Sequence, residues 1–283
     1  MSRVLGPRAA FAPPGEAISE LYHENTKLTA RTFGGANARI PVEYTLNELA
    51  VITRSFKQYR MHPRVPLPRI EEVPHGGRSF DEVVAARRTA RGFAADELKP
   101  AELGKVLHQA YGLTGGMPFA GGGVHGLRAA PSAGALYPAE LYLGVRHVAG
   151  VAPGLYHYEV YDHALAQLDE GDLTERLHEA CCFQEYARTA AVVVLIAASL
   201  QRTKRRYGER GYRYVLLDVG HLTQNLLLAA TALGLAAMTT CGFFDDVAND
   251  LLGLDGVEEA VLYVAFLGRP APDWDGKTVL EGA

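Results

Sequence analysis

Apolar residues recur at spacings of three and four over residues 212–233. Val215, Leu216, Val219, Leu222, Leu226 and Ala230 line one side, which predicts a long helix with Gly234 as its stop. A shorter helix is predicted over 100–111, opened by Pro100 at its first turn and burying Leu103, Val106, Leu107 and Ala110. Residues 190–198, AAVVVLIAA, form an unbroken apolar run of strand length, the pattern of a strand buried on both faces. Leu141, Tyr142, Leu143 and Val145 predict another strand, and 154–160 alternates so as to pair with 164–168 as a hairpin. A helix over 172–183, a short strand within 236–245, a helix over 246–252 and a last strand over 260–267 complete an α+β pattern.

The N-terminal quarter has a different texture. Residues 1–76 carry prolines at 13, 14, 41, 63, 66, 68 and 74, and read as an extended arm with ordered islands at 17–28 and 47–58. In the second island Leu49, Ile52 and Phe56 fall at helical spacing. His23 and Lys27 in the first read as surface residues. Gly76 and Gly77 mark the start of the main domain, 77–270, and Ser79 is placed to cap a helix through Phe80, Val83 and Val84 into residues 87–91. Residues 112–126 hold seven glycines in fifteen positions and are expected to form no regular structure. No GxxxxGK[ST] is present there, which argues against a nucleoside triphosphate site. Residues 271–283 read as a loose tail.

Composition narrows the classes. At 283 residues, 48% hydrophobic and 21% charged, the chain can bury a large core, and its net charge of −4 gives no reason to expect nucleic acid. Three cysteines, two of them adjacent at 181 and 182, suit a reducing cytoplasm and make no disulfide framework. Neither their spacing nor the ten histidines, which form no HxxxH or HxH pair, suggest a metal site. The N-terminus lacks a signal-peptide core, and the apolar run at 190–199 is too short to span a bilayer.

Three stretches carry candidate chemistry. In PSAGALYP, residues 131–138, Pro131 and Pro138 lack amide hydrogens and Gly134 permits positive φ, so the segment is a loop expected to present free amides and the Ser132 hydroxyl outward. It reads either as a surface turn or as a place where backbone closely approaches a ligand. Arg87, Arg88 and Arg91 either complement a helix C-terminus in solvent or form an anion site. Residues 201–214 bear six cationic side chains against Glu209, a solvated segment or a basic face for a peptide. His221, with Asp218, Gln224 and Asn225, interrupts the long helix and reads mainly as interhelical contact.

PSAGALYPAELY resembles the signature of SagB-type dehydrogenases, a branch of the FMN-dependent nitroreductase superfamily, and the resemblance spans residues 80–270. It implies an α+β nitroreductase-like fold, a mixed or antiparallel sheet flanked by helices, in an intertwined homodimer with two FMN sites at its interface. RRTARGF resembles the superfamily's arginine motif, which implies that Arg87, Arg88, Thr89 and Arg91 hold the FMN phosphate and pyrimidine edge. Pro131, Ser132, Ala133, Gly134 and Leu136 are implied to line the flavin from the other chain. Cys241 and Gly242 stand where backbone amides face flavin N5, and many relatives have Glu in the place of Cys241. Arg269 reads as another phosphate contact or as an ordinary strand-end arginine. The implied reaction is dehydrogenation of a thiazoline or oxazoline to the azole in a peptide natural product, with dioxygen reoxidising the flavin. Tyr207 is the implied proton-handling residue. Azoline-oxidising relatives carry a Lys-Tyr pair there, whereas this chain has Arg206-Tyr207, so a lysine amine could come only from Lys204. The implied partners are a peptide or carrier-protein-bound azoline and a cyclodehydratase or peptide synthetase. The alternatives are an NAD(P)H-dependent nitro or quinone reductase and a flavin-free peptide-binding subunit.

Overall fold

The computed structural model describes residues 17–28, 45, 56–73, 77–119, 123–272 and 274. The chain divides into two compact units, Met1–Glu43 and Tyr44–Ala283. In the first, helix α1 (Ile18–Asn25) lies within the stretch predicted at 17–28. Most of the predicted 47–58 helix lies outside the described residues, and its last residues, 56–58, are not helical.

In the second unit an eight-stranded antiparallel sheet holds the core. Its strands are β1 (Arg64–Pro66), β2 (Phe93–Ala94), β5 (Ala139–Val145), β6 (Gly154–Glu159), β7 (Ala164–Glu170), β8 (Val192–Ser199), β9 (Ala236–Thr240) and β10 (Glu259–Pro270). They run in the order β1-β7-β6-β5-β8-β10-β2, with β9 also on β10. The apolar run at 190–198 becomes β8, between β5 and β10, in register Leu141 with Ile196 and Val193 with Phe266. Strand alternation sends Val192, Val194 and Ile196 to one face and Val193, Leu195 and Ala197 to the other. Each large side chain buried there contributes about 1.5–3 kcal/mol.

The first face is covered by α3 (Pro100–Tyr111) and α7 (Gly211–Ala232), through Leu103, Val106, Leu107, Val219, Leu222 and Leu226. Both helices match their predicted periodicity except at Leu216, which is 44% exposed, and Gly234 (φ 70°) ends α7 while Leu235 N–H returns to the Ala230 carbonyl. The second face packs on α4 (Thr174–Ala180), α5 (Tyr186–Thr189) and α8 (Asp245–Leu252), through Leu177, Ala187 and Leu251. The helix expected over 172–183 is shorter because Cys182 and Phe183 turn left-handed, at φ 53° and 57°. Helix α6 (Leu200–Tyr207) links β8 to α7.

Three sequence expectations change. Residues 112–126 do form regular structure, a hairpin of β3 (Leu113–Phe119) and β4 (Gly123–Arg128), because a ladder needs backbone groups and no side chains. Gly116 pairs with Gly126, and a Cβ at Gly116 would lie 2.6 Å from Val124 Cγ1, so glycine is what lets the strands meet. Residues 56–73 belong to the sheet-bearing unit, where β1 pairs with β7. Helix α2 (Phe80–Ala86) ends before the arginine motif, which continues without regular structure. Its start is as predicted, with a Ser79–Glu82 capping box. Ser79→Ala should therefore cost about 1 kcal/mol, read as a lowered urea midpoint with unchanged slope.

Candidate functional site

The loop between β4 and β5 is held in a strained shape. Gly134, Ala135 and Tyr137 have φ of 63°, 53° and 46°, and two of these are not glycine. Such backbone persists where its surroundings over-determine it, and it clusters at functional sites. The Ser132 hydroxyl does not face outward as expected. It donates to Asp218 Oδ2 (2.5 Å) on α7 and accepts from Tyr137 N–H (2.9 Å), while Ala133 N–H donates to Asp218 Oδ1 (3.3 Å). The expected free amides are thus partly spent, since Ala135 N–H also bonds the Ser132 carbonyl. Burial pushes the Asp218 carboxyl up, against the Ser132 and Ala133 bonds that lower it. On the inner side Arg128 lies over the Tyr111 and Tyr137 rings, at 4.4 and 5.1 Å, and Tyr137 OH accepts from Arg128 N–H (3.1 Å). Pro131 and Gly134 are exposed, and Leu136 is buried.

The arginine stretch lies at the other end of α7. Ala90 N–H donates to Ala237 O (3.0 Å) of β9, and Arg78 Nη1 to Thr231 O (3.2 Å) near the α7 C-terminus. Arg88 Nη1 turns back onto the Ala85 and Arg87 carbonyls, and Thr89 is exposed. Arg87 and Arg91 have no side-chain partner among the described residues. Arg269 does. It makes a two-pronged pair with Glu102 (2.7 and 3.0 Å) and donates to the Glu97 carbonyl, so its guanidinium serves the α3 N-terminus and not an open anion site. From Asp218 to Thr231 α7 rises about 20 Å, so within one chain the arginines and the loop stand at opposite ends of this helix.

Cys241 and Gly242 leave β9 in an exposed turn. Gly242 N–H is taken by Thr240 Oγ1 (2.9 Å), and the Gly242 carbonyl by Gln184 Nε2 (2.5 Å). The amide expected to face a ligand is thus engaged within the turn. Lys204 and Tyr207 lie three residues apart on α6, hence on one face, with Lys204 Nζ paired to Glu209 at 3.1 Å. The half-buried Tyr207 ring meets Tyr214 edge-on at 5.0 Å, with the Arg206 guanidinium 5.6 Å away.

A buried charge network beneath this helix was not legible in the sequence. Glu140, at the start of β5, pairs with Arg202 of α6 and accepts from His157 Nε2 (3.0 Å), whose Nδ1 is 3.4 Å from Glu159. Lys57 Nζ meets Glu259 at 2.5 Å, and Lys57 N–H donates to Glu140. Three carboxylates face three cations. Burial would raise the Glu140 carboxyl, but the Arg202 charge and the His157 bond hold it well below its usual range. Burial alone would lower His157, yet its bond to Glu140 and the Glu159 carboxylate beside Nδ1 raise it. A raised histidine contributes stability that is complete below about pH 6.5 and is lost as pH rises through the folded-state value. The urea midpoint should fall across that window, and His157→Gln should flatten the fall.

The nitroreductase family profile matches residues 84–269. The chain belongs to the nitroreductase family. It is 36% identical, over 72% of its length and 96% of the relative's, to a nitroreductase-family protein of Methanocaldococcus jannaschii. It is 28% identical over 77% of its length to the trifolitoxin-processing protein TfxB of Rhizobium leguminosarum, and 31% over 49% to the microcin B17-processing protein McbC of Escherichia coli. It spans 59% and 53% of those two proteins. Among solved structures, a nitroreductase-family chain of Anabaena variabilis matches with TM-score 0.69 and 30% identity over 88% of this chain and 46% of its own. The Escherichia coli McbBCD microcin synthetase complex shares the fold, with TM-score 0.55 and 22% identity, over 90% of this chain and 92% of the matched one. Nitroreductase-family proteins are typically flavin-dependent. Arg87 and Arg91, without a side-chain partner among the described residues, suit a phosphate, and the 131–138 loop offers exposed Gly134 with no Cβ in the way, the two standing about 20 Å apart along α7 within one chain.

Proposed function

We propose that this chain is an FMN-dependent dehydrogenase that converts a thiazoline or oxazoline in a peptide natural product to the azole, acting as a SagB-type homodimer. The observation that carries the reading is α6. It leaves the sheet beside the strained loop, with Ser199 N–H on the Pro138 carbonyl (2.9 Å), and ends on Tyr207. The relatives TfxB and McbC, which process trifolitoxin and microcin B17, support a peptide substrate. FMN, when bound, supplies the two-electron acceptor for the hydride leaving the ring. Tyr207 holds and moves the ring Cα proton at its phenol oxygen, with its ring steadied by Tyr214, and Lys204 shares its face of the helix. The exposed cationic Arg205 on the same helix suits contact with a peptide or its carrier, delivered by a cyclodehydratase or peptide synthetase.

Two chains are needed on this reading. The distance of about 20 Å along α7 separates phosphate ligands from the flavin loop in one copy, and Leu216 and Leu217 leave an apolar patch on α7, 44% and 58% exposed. A second copy that brings its loop to the first copy's arginines would complete the site. The similarity to the Methanocaldococcus jannaschii protein favours a second reading, an NAD(P)H-dependent nitro or quinone reductase.

The deciding experiment incubates the FMN-loaded protein under air with a thiazoline-bearing peptide and follows its mass. Loss of two hydrogens with azole absorbance is expected. Rapid NAD(P)H oxidation with a nitroaromatic and no azole would select the second reading, and failure to take up FMN would leave a peptide-binding subunit. Arg87→Ala or Arg91→Ala should weaken FMN binding by about 1.5–3 kcal/mol each, by fluorescence titration. Arg269→Ala, which breaks the Glu102 pair, should lower stability and leave FMN affinity unchanged.

A further inference from the structure

The segment preceding β1 reaches the strained loop through buried charges. Arg202 Nη1 donates to the Tyr137 carbonyl at 3.1 Å while its Nη2 pairs with Glu140. Tyr137 is one of the left-handed non-glycine residues of the loop, so its carbonyl direction has to be held from outside. Arg202 is the side chain in place to do so, and it lies two residues before Lys204 and five before Tyr207 on α6. A guanidinium can bridge two acceptors in fixed directions, which a lysine amine cannot.

Glu140 makes a fixed anchor. It is 4% exposed in a strand paired on both sides, and its carboxylate accepts from Arg202, His157 and Lys57 N–H. Lys57 then spans the network, with Nζ on Glu259 and on Tyr142 OH (3.1 Å). Removing Arg202 or His157 leaves the buried Glu140 carboxylate short of a partner, a situation far costlier than the pair is worth. We propose that Arg202 is a positioning residue that sets the 131–138 loop against α6, with Glu140, held by His157 and by the main-chain N–H of Lys57, as its anchor. The catalytic consequence rests on the dehydrogenase reading, whereas the structural one does not.

Hydrogen exchange on the full-length protein tests it. Exchange is read at residues 131–138, where the Ala135 and Tyr137 amides are bonded within the loop. Arg202→Met should raise it about tenfold or more beyond any rise in β8, because a charge-assisted bond to the loop is gone. Arg202→Lys should give a smaller rise. Lys57→Met loses the Nζ pair with Glu259 but keeps the backbone N–H on Glu140, so it should raise loop exchange far less than Arg202→Met. In the FMN-loaded enzyme Arg202→Met should lower kcat about 100-fold with a much smaller change in KM, as expected for misplaced reacting groups. Unchanged loop exchange in a folded Arg202→Met, or a rise spread evenly over β5, β8 and β10, would overturn the proposal. Should Arg202→Met not fold, unchanged loop exchange in Arg202→Lys would do the same. Exchange is measured without flavin or azoline, so a failure of the azoline chemistry would leave this result standing, and the reverse.

Discussion

Tyr207→Phe is expected to yield a folded, flavin-binding protein that has lost azole formation. The change removes one oxygen from a half-buried ring whose edge-on packing with Tyr214 depends on the ring alone, so fold and packing survive. A proton-transfer group at the reacting centre contributes about 100- to 10,000-fold, and turnover should fall by that much while FMN affinity stays within error. Lys204→Met separates its neighbour's role. Lys204 is paired to Glu209, so if it only tunes the site its loss should change turnover far less than loss of the phenol. Unchanged azole formation in Tyr207→Phe would remove the phenol from the mechanism.

Glu140→Ala should be the most destabilising single change at the site, at about 3–5 kcal/mol, because it leaves Arg202 and His157 charged, buried and without their shared carboxylate. Against a total of about 5–15 kcal/mol for a typical domain, that loss is a large fraction of the folding free energy. The urea midpoint would report it. Glu140→Gln keeps the hydrogen-bonding shape and loses the charge, so its cost should be smaller, and the pH dependence traced to His157 should shrink with it. A Glu140→Ala protein as stable as the parent would mean that the network is not held together as the geometry indicates.

Much of the fold could be read from residue patterns because the core elements have strong periods. β8 is an apolar run, α7 repeats at three and four, and α3 begins with proline, each a direct consequence of what must be buried. The β3–β4 hairpin was missed because its glycines carry no side-chain pattern while the ladder lies entirely in the backbone. The site was legible in pieces. PSAGALYP stood out as a loop, but its anchor Asp218 looked like one polar interruption among four on α7, and only the fold brings it within 2.5 Å of Ser132. Arg202 was hidden within a basic run whose default is solvent, and Glu140 beside an apolar strand where a single carboxylate draws no notice. Lys57 lies 83 residues from Glu140 in sequence, and no local rule joins them. Arg269, read as a phosphate contact or as an ordinary strand-end arginine, pairs with Glu102 across 167 residues, a contact no local pattern shows.

Native mass spectrometry of the FMN-saturated protein tests the central claim, that each flavin lies between two copies, held by the arginines of one and the loop of the other. The account predicts a dimer carrying two FMN, which Arg87→Ala with Arg91→Ala empties of flavin while leaving it dimeric. A monomer that binds FMN as tightly as the dimer would contradict it.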